Sequence, residues 1–411
     1  MDAPAARKPA LGFIFITMVL IMLGVGIIIP VLPALVTQFK GGSISESSGS
    51  YGWLMGIFGA MQFLASPILG SLSDRFGRRK VILVALAGTA IDYVIMGWAP
   101  TLGWLFVGRT ISGVTAGAFA TCNAYVADVT PPEKRAQGYG LIGAAIGLGF
   151  VIGPAVGGLL GNHNPRLPFF AAAGCVGVNA LYGMFVLPES LLPENRRAFS
   201  WRRANPVSSL MALRRFRGVF DLALMYFILI FGQAMLQTVW ALYTNYRYGW
   251  SPREVGLSLT FIGVMAVVVQ GGLVKRIISW AGERRGLVLG IVISAAAMAG
   301  YGSATHGWMI YALIFFGAWG GISGPAAQSL ITKHVPPNEY GAVQGSLTGL
   351  TSLASVFAPV IAAWSFSGCI ADNARWHVPG IAFYEASALS LVALALALRS
   401  FQLDDRIGAG A

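Results

Sequence analysis

Charge is what this chain has least of: only 11% of its 411 residues are Asp, Glu, Lys or Arg, against 56% hydrophobic residues. A soluble globular domain carries about 25% charged residues, so an aqueous enzyme or regulatory domain is excluded. Cysteine is scarce too. Of the three, Cys122 and Cys175 fall within apolar stretches and Cys369 outside them, which leaves no disulfide framework and no thiolate cluster. The four histidines, at 163, 306, 334 and 377, all lie between apolar stretches, and no dense acidic cluster accompanies them, so no metal site is expected. A phosphate-binding Gly-Lys-Ser/Thr loop and the spacing of a catalytic triad are also absent. The expectation is a protein that is not an enzyme and needs no cofactor.

Long apolar runs are what is present. A bilayer takes about 20 apolar residues per helix, and twelve such stretches are predicted near 11–33, 51–72, 81–98, 103–125, 138–160, 167–187, 219–242, 254–274, 286–304, 308–331, 341–363 and 379–398. The first follows Arg7 and Lys8 but runs past the length of a signal sequence and ends at Pro30 and Pro33, so it reads as a retained span. The formal charge of +12 is not a nucleic-acid signal. With the N-terminus assigned to the cytoplasm, 22 of the 28 Lys and Arg residues fall on cytoplasmic segments, five on outer ones and Arg109 alone inside a span. That follows the positive-inside rule and suits contact with anionic lipid. A multi-pass protein of a cell inner membrane with both termini cytoplasmic is expected.

The longest connection, 188–218, is polar and arginine-rich and separates six predicted spans from six: an N-terminal bundle at 1–187 and a C-terminal bundle at 219–411. A shift of 205 residues brings the halves into partial register. Pro131 and Pro132 fall on Pro336 and Pro337, Gly77 and Arg79 on Gly282 and Arg284, and Gly140 on Gly345. An even number of spans separates the copies, so the fold expected is all-α, with twelve transmembrane helices in two pseudo-symmetric six-helix bundles that can expose a midplane site to either side in turn. One chain can enclose such a pathway, and a monomer is expected.

Two segments stand out chemically. Between the second and third spans lie Gly70, Asp74, Arg75, Gly77, Arg78 and Arg79, a sharp glycine-bounded turn in which Asp74 can meet helix amides or basic side chains. Asp128, at the inner end of the fourth span, is expected to dock on the arginines of this loop and to lock that side in one state. The fifth span carries Gly149, Gly153, Pro154, Gly157 and Gly158, which lets helices approach closely and bends the axis; static packing and a moving part are both open readings. The loop resembles the signature loop of the major facilitator superfamily, and the fifth-span ladder is similar to the motif of its drug:proton antiporter branch. Gly108, Arg109, Gly113 and Gly117 resemble a further superfamily motif. Gly24 to Pro33, Ala60 to Gly70, Asp92 with Tyr93, Pro168 to Ala172, Leu187 to Ser190, Val239 to Trp250 and Gln344 to Leu347 narrow the resemblance to the tetracycline efflux type.

The resemblance implies the major facilitator fold and a secondary transporter that exports amphipathic small molecules or antibiotics, tetracyclines among them, driven by the proton gradient. Three positions depart from that family: Ile21, Ala266 and Ser294 stand where it has titratable residues. The ionisable residues left within spans are Asp92, Arg109 and Glu385, the candidates for proton coupling. A short turn joins the third and fourth spans, so an Asp92–Arg109 ion pair is expected, either as a proton carrier with its modulator or as a static pin; Glu385 stands close enough to a helix end to be simply exposed. Gln233, Gln237 and Trp240 share a helix face by spacing, and Gln62, Asn123, Trp319 and Gln328 add polar or aromatic groups at membrane depth. These seven are the substrate-binding candidates, with interhelical hydrogen bonding the alternative use. Expected partners are a small-molecule substrate, protons and membrane lipid, with no nucleic acid. Import of a nutrient or siderophore on the same scaffold is the competing functional reading.

Overall fold

The computed structural model of the chain describes residues 8–131, 134–199, 219–333, 335 and 340–409. Among these every regular element is helical, and twelve helices are long and apolar enough to cross a bilayer: Leu11–Ile28, Ile44–Phe76, Arg78–Trp98, Leu102–Val129, Gln137–His163, Leu167–Val186, Phe220–Tyr248, Pro252–Leu273, Glu283–Ser303, Gly307–Lys333, Ser346–Ile370 and Ile381–Leu403. They are referred to below as spans one to twelve. The expected linker arginines beyond Arg197, Pro132, His334, Pro336 and Pro337 lie outside the described residues.

Proline and glycine explain where the helices depart from the expected bounds. Span one does not reach 33: it stops at Ile28, and a short helix, Leu32–Phe39, follows. Pro30 and Pro33 cannot donate to the preceding turn, although Pro33 is tolerated in the first turn of the new helix. Span four breaks into Leu102–Ala116 and Ala118–Val129 at Gly117. A Cβ there would sit 3.1 Å from Ser66 Cα, so the break lies where span two passes close by. Its counterpart, span ten, is interrupted at the equivalent place by a 3-10 turn, Ala318–Ile322. Span eight changes to a π-helical segment at Val267–Leu273, directly after Ala266.

The described residues group into two compact units, one drawn from 1–39, 57–206 and 251–260, the other from 40–56, 207–250 and 261–411. In the first, span one packs on spans five and six, and span three on span six. In the second, span seven packs on eleven and twelve, and span nine on twelve, the same pattern six spans on.

The fifth-span glycines form the closest seam of the first unit. Gly149 lies over the Val19 carbonyl, Gly153 over that of Leu23 and Gly157 over that of Ile27, and Gly161 continues the row against the Val31 side chain. Both helices advance by four residues per contact, as parallel helices with matching i, i+4 ridges must. Absent side chains bring backbones into van der Waals contact, the source of cohesion where lipid offers no hydrophobic gain. Gly158, turned to another face, meets Pro252 and Gly256. In the second unit the repeat converts the row to Ala354, Ala358, Ala362 and Phe366, all fully buried, while Gly52 and Gly56 supply the missing side chains against Ala363 and Val360.

Candidate functional site

A cavity of about 240 Å³ opens among the first four spans. Ile21, Met22 and Val25 of span one and Phe58 of span two form much of its apolar wall; Gln62, Thr89, Tyr93, Arg109, Ser112 and Thr115 bring the polar groups. Ile21 thus places a butyl group and no titratable side chain at the wall. Of the seven substrate-binding candidates only Gln62 lines this cavity.

Asp92 is completely buried next to it. Gly108 makes room for the carboxylate, since a Cβ there would lie 2.8 Å from Asp92 Oδ1. Ser112 Oγ donates to Oδ2, and Oδ1 has no hydrogen-bond partner. The expected Asp92–Arg109 ion pair is not formed. Ser112, one turn beyond Arg109, takes the carboxylate, while the guanidinium extends towards Met96 Sδ at 3.7 Å and the face of Phe58, 5.6 Å from the ring centroid. Arg109 is 7% exposed and its Nε has no partner, yet its charge still acts on Asp92 through space. Glu385 is not simply exposed: it is half-buried on span twelve, with Oε2 buried and unpartnered.

The other candidates do not converge. Trp240 is 1% exposed, edge-on to Tyr301 and Phe383 in the aromatic core of the second unit, whereas Gln233 and Gln237 are exposed. The shared face expected of the three is corrected. The large indole turns into the aromatic cluster that can bury it, and the amides, costly to bury unpaired, stay outside. Gln328 donates to Tyr226 Oη of another helix at 3.2 Å, the interhelical alternative, whereas Asn123 donates to the Phe119 carbonyl of its own helix at 3.2 Å. Trp319 is half-buried in the 3-10 turn of span ten.

The loop between spans two and three builds a second charged cluster. Gly77 holds φ at 99°, which an L side chain resists, and the turn delivers Arg78 to the start of span three. Arg78 Nη1 meets Asp74 Oδ1 at 2.6 Å and Ser73 Oγ at 2.6 Å, and its Nε meets Asp128 Oδ2 at 3.2 Å. Asp128 therefore docks on Arg78; Arg75 lies exposed over Phe76, and Arg79 donates to the Met184 carbonyl. Only Arg78 is buried deeply enough to share a carboxylate out of water. Glu189, which sequence reasoning missed as a functional side chain, accepts from the Arg78 amide at 2.8 Å and caps the positive end of span three. A carboxylate just after span six, in the Leu187 to Ser190 segment, was the available signal. Gly70 shows no close neighbour for a Cβ, so no tight approach explains it.

One repeat on, the cluster returns with its signs reversed. Residue 78 maps to Glu283 and 128 to Lys333. Glu283 Oε2 meets Lys333 Nζ at 2.7 Å and Oε1 accepts from Ser329 at 2.9 Å, with Gly282 at φ 79° supplying the turn.

Twelve helices whose packing repeats after six, with a largely apolar cavity holding a few polar groups among the first four and paired charges at the loop ends, define the architecture of a secondary transporter. The chain belongs to the Major Facilitator Superfamily, whose family model matches residues 14–359 and, again, 222–406. It is 38% identical over 386 residues to the tetracycline resistance protein, class C, of Escherichia coli, covering 94% of this chain and 95% of that protein. Multidrug resistance protein 2 of Bacillus subtilis (strain 168) is 30% identical over 384 residues, covering 92% and 91%. The solved structure of a bacterial homologue of the human lysosomal transporter Spinster superposes with a TM-score of 0.75 at 16% identity, covering 98% of each chain, which bears on the fold alone. The protein is thus a multi-pass membrane transporter of a small-molecule substrate and not an enzyme.

Proposed function

We propose that the chain exports amphipathic small molecules, tetracyclines among them, across a cell inner membrane in exchange for protons, working as a monomer with both termini cytoplasmic. Bundles 1–187 and 219–411, joined through 188–218, alternate access to the substrate site. The observation that carries this reading is the first-unit cavity, whose apolar and aromatic wall holds one cation, Arg109, with the carboxylate of Asp92 buried immediately behind it. A wall of that kind suits a flat, largely apolar molecule with a few polar groups. A buried carboxylate that changes charge as its surroundings change can load and release a proton. Asp92 is the proton carrier and Arg109 its modulator, with Glu385 a second titratable group. The similarity to proteins named for tetracycline and multidrug resistance supports the direction.

Cells expressing the chain are expected to survive raised tetracycline and to hold less of it, and a protonophore is expected to abolish both effects. Protection that persists with the protonophore would remove the proton gradient as the energy source; accumulation of drug would reverse the direction. In proteoliposomes Asp92→Asn is expected to bring tetracycline-driven proton release down to the level of protein-free vesicles. Unchanged release would take Asp92 out of the pathway.

A further inference from the structure

Asp92 has no exposed surface, so what occupies the cavity cannot touch it. Ser112 does both: it lines the cavity and donates its only proton to Asp92 Oδ2. We infer that Ser112 is where ligand and proton meet, and that the ligand carries a neutral carbonyl beside a hydrogen-bond donor on a flat conjugated frame. This rests on the proposed role of Asp92 as proton carrier and assigns the positioning and specificity residue that connects it to the substrate.

Gln62 and Tyr93 add an amide and a phenol to the wall, and the donors and acceptors of the other four polar residues lead there. Thr89 Oγ1 lies 2.9 Å from the Ala85 carbonyl and 2.9 Å from Thr115 Oγ1, and Thr115 donates to the Ser112 carbonyl at 3.1 Å, so these hydroxyls are engaged with backbone and with each other. Ser112, its proton committed to Asp92, offers the cavity only oxygen lone pairs, which accept. Arg109 has donors only; its one side-chain hydrogen bond is the long one to Met96 Sδ, and Nε is buried without a partner. The two residues are three apart on one helix and so share a face. A ligand that satisfies both presents an acceptor to Arg109 and a donor to Ser112.

The sign of the coupling follows from this chemistry. A ligand O–H donating to Ser112 Oγ polarises the hydroxyl and strengthens its bond to the carboxylate, since hydrogen bonds in series reinforce one another. The ionised form of Asp92 is then favoured and ligand binding expels a proton, as exchange requires. An anionic acceptor on Arg109 would draw its charge away from Asp92 and act in the opposite sense, so the carbonyl is neutral. Arg109 of span four and Tyr93 of the carboxylate's own helix, whose hydroxyl packs on Gly24, are the charged and titratable groups around Asp92 among the described residues. Span six, also packed on span three, adds no charged group there.

The test uses the purified full chain in detergent micelles with 3-hydroxyflavone and 3-methoxyflavone, between pH 6 and 8, below ionisation of the flavone hydroxyl. The hydroxyl form is expected to bind about tenfold more tightly than its ether, the worth of one hydrogen bond. Its affinity is expected to rise with pH by at most about tenfold per unit, with proton release on binding read by a pH dye. Ser112→Ala should erase both the preference and the pH slope, and Ser112→Thr should restore them, which a merely structural serine would not do. Ser112→Ala retaining both, or ethers binding as well as hydroxyls, overturns the proposal; so does failure of the hydroxyl form to bind. Asp92→Asn that keeps the hydroxyl preference but loses the pH slope supports it. Asp92→Asn that keeps the slope overturns the carrier reading while the ligand preference at Ser112 stands or falls by its own measurement.

Discussion

Gly157→Leu is expected to leave little folded protein, whereas Gly140→Leu in the same helix folds and transports like the parent. A Cβ at Gly157 would run into the carbonyl oxygen, carbonyl carbon and Cα of Ile27, all backbone, and at Gly149 and Gly153 it would come within 2.6 Å and 2.7 Å of the Val19 and Leu23 oxygens. Overpacking costs about 1–3 kcal/mol where side chains can shift. Here a whole transmembrane helix would have to move, so the cost lies at or above the top of that range, against a total stability of roughly 5–15 kcal/mol. Nothing lies within 4 Å of a Cβ at Gly140, which is exposed. Leucine there replaces a poor helix former, worth about 0.5–1 kcal/mol in the favourable direction. Melting in detergent followed by light scattering compares the two. A Gly157→Leu protein that melts with the parent but no longer transports would make the row a hinge and not a seam. The fully buried Ala354, Ala358 and Ala362 of span eleven keep a methyl at each of these places, so the second unit tolerates at its own seam what the first cannot.

The difference between those seams shows what could be read in advance. Span number, repeat and family were legible because a bilayer demands long apolar runs and because the 205-residue shift preserves turn and loop residues, Gly77 on Gly282 and Pro131 and Pro132 on Pro336 and Pro337. Which residue faces which is not carried by spacing. Asp92 and Arg109 lie at joinable depth, yet Gly108 admits the carboxylate to the backbone of span four and Ser112, a turn past Arg109, captures it. Trp240 shares a face with Gln237 on a helical projection, but Tyr301 and Phe383, distant in sequence, decide where the indole goes. The π segment after Ala266 had a signal in Gly271 and Gly272, and hydropathy alone cannot see it. Packing also assigns the start of span two to one unit and the start of span eight to the other, a grouping that no linker composition marks.

The reversed charge pairs at the two equivalent loops should differ sharply in what they contribute. Arg78→Ala is expected to destabilise far more than Lys333→Ala. The Arg78 side chain is 10% exposed and meets Asp74, Asp128 and Ser73 together, so its removal takes the shared cation from two carboxylates at once. Breaking a buried pair costs about 3–5 kcal/mol. Asp74 and Asp128 are 37% and 24% exposed, so water relieves part of this and the lower end applies. Lys333 is 63% exposed on its single carboxylate partner, and such pairs are worth about 0–1 kcal/mol. Salt separates them further, because at about 1 M the screening length falls to roughly 3 Å and an exposed lysine is screened before a buried arginine. Arg78→Lys should recover only part of the loss, since one ammonium cannot fork between Asp74 and Asp128 as the guanidinium does. Exchanging the signs in the second unit, Glu283→Lys with Lys333→Glu, should be nearly neutral when both are changed and should cost most when Glu283→Lys stands alone against Lys333. Melting curves at low and high salt read all of these. Equal losses for Arg78→Ala and Lys333→Ala would mean that the loop between spans two and three is no more than a charged turn.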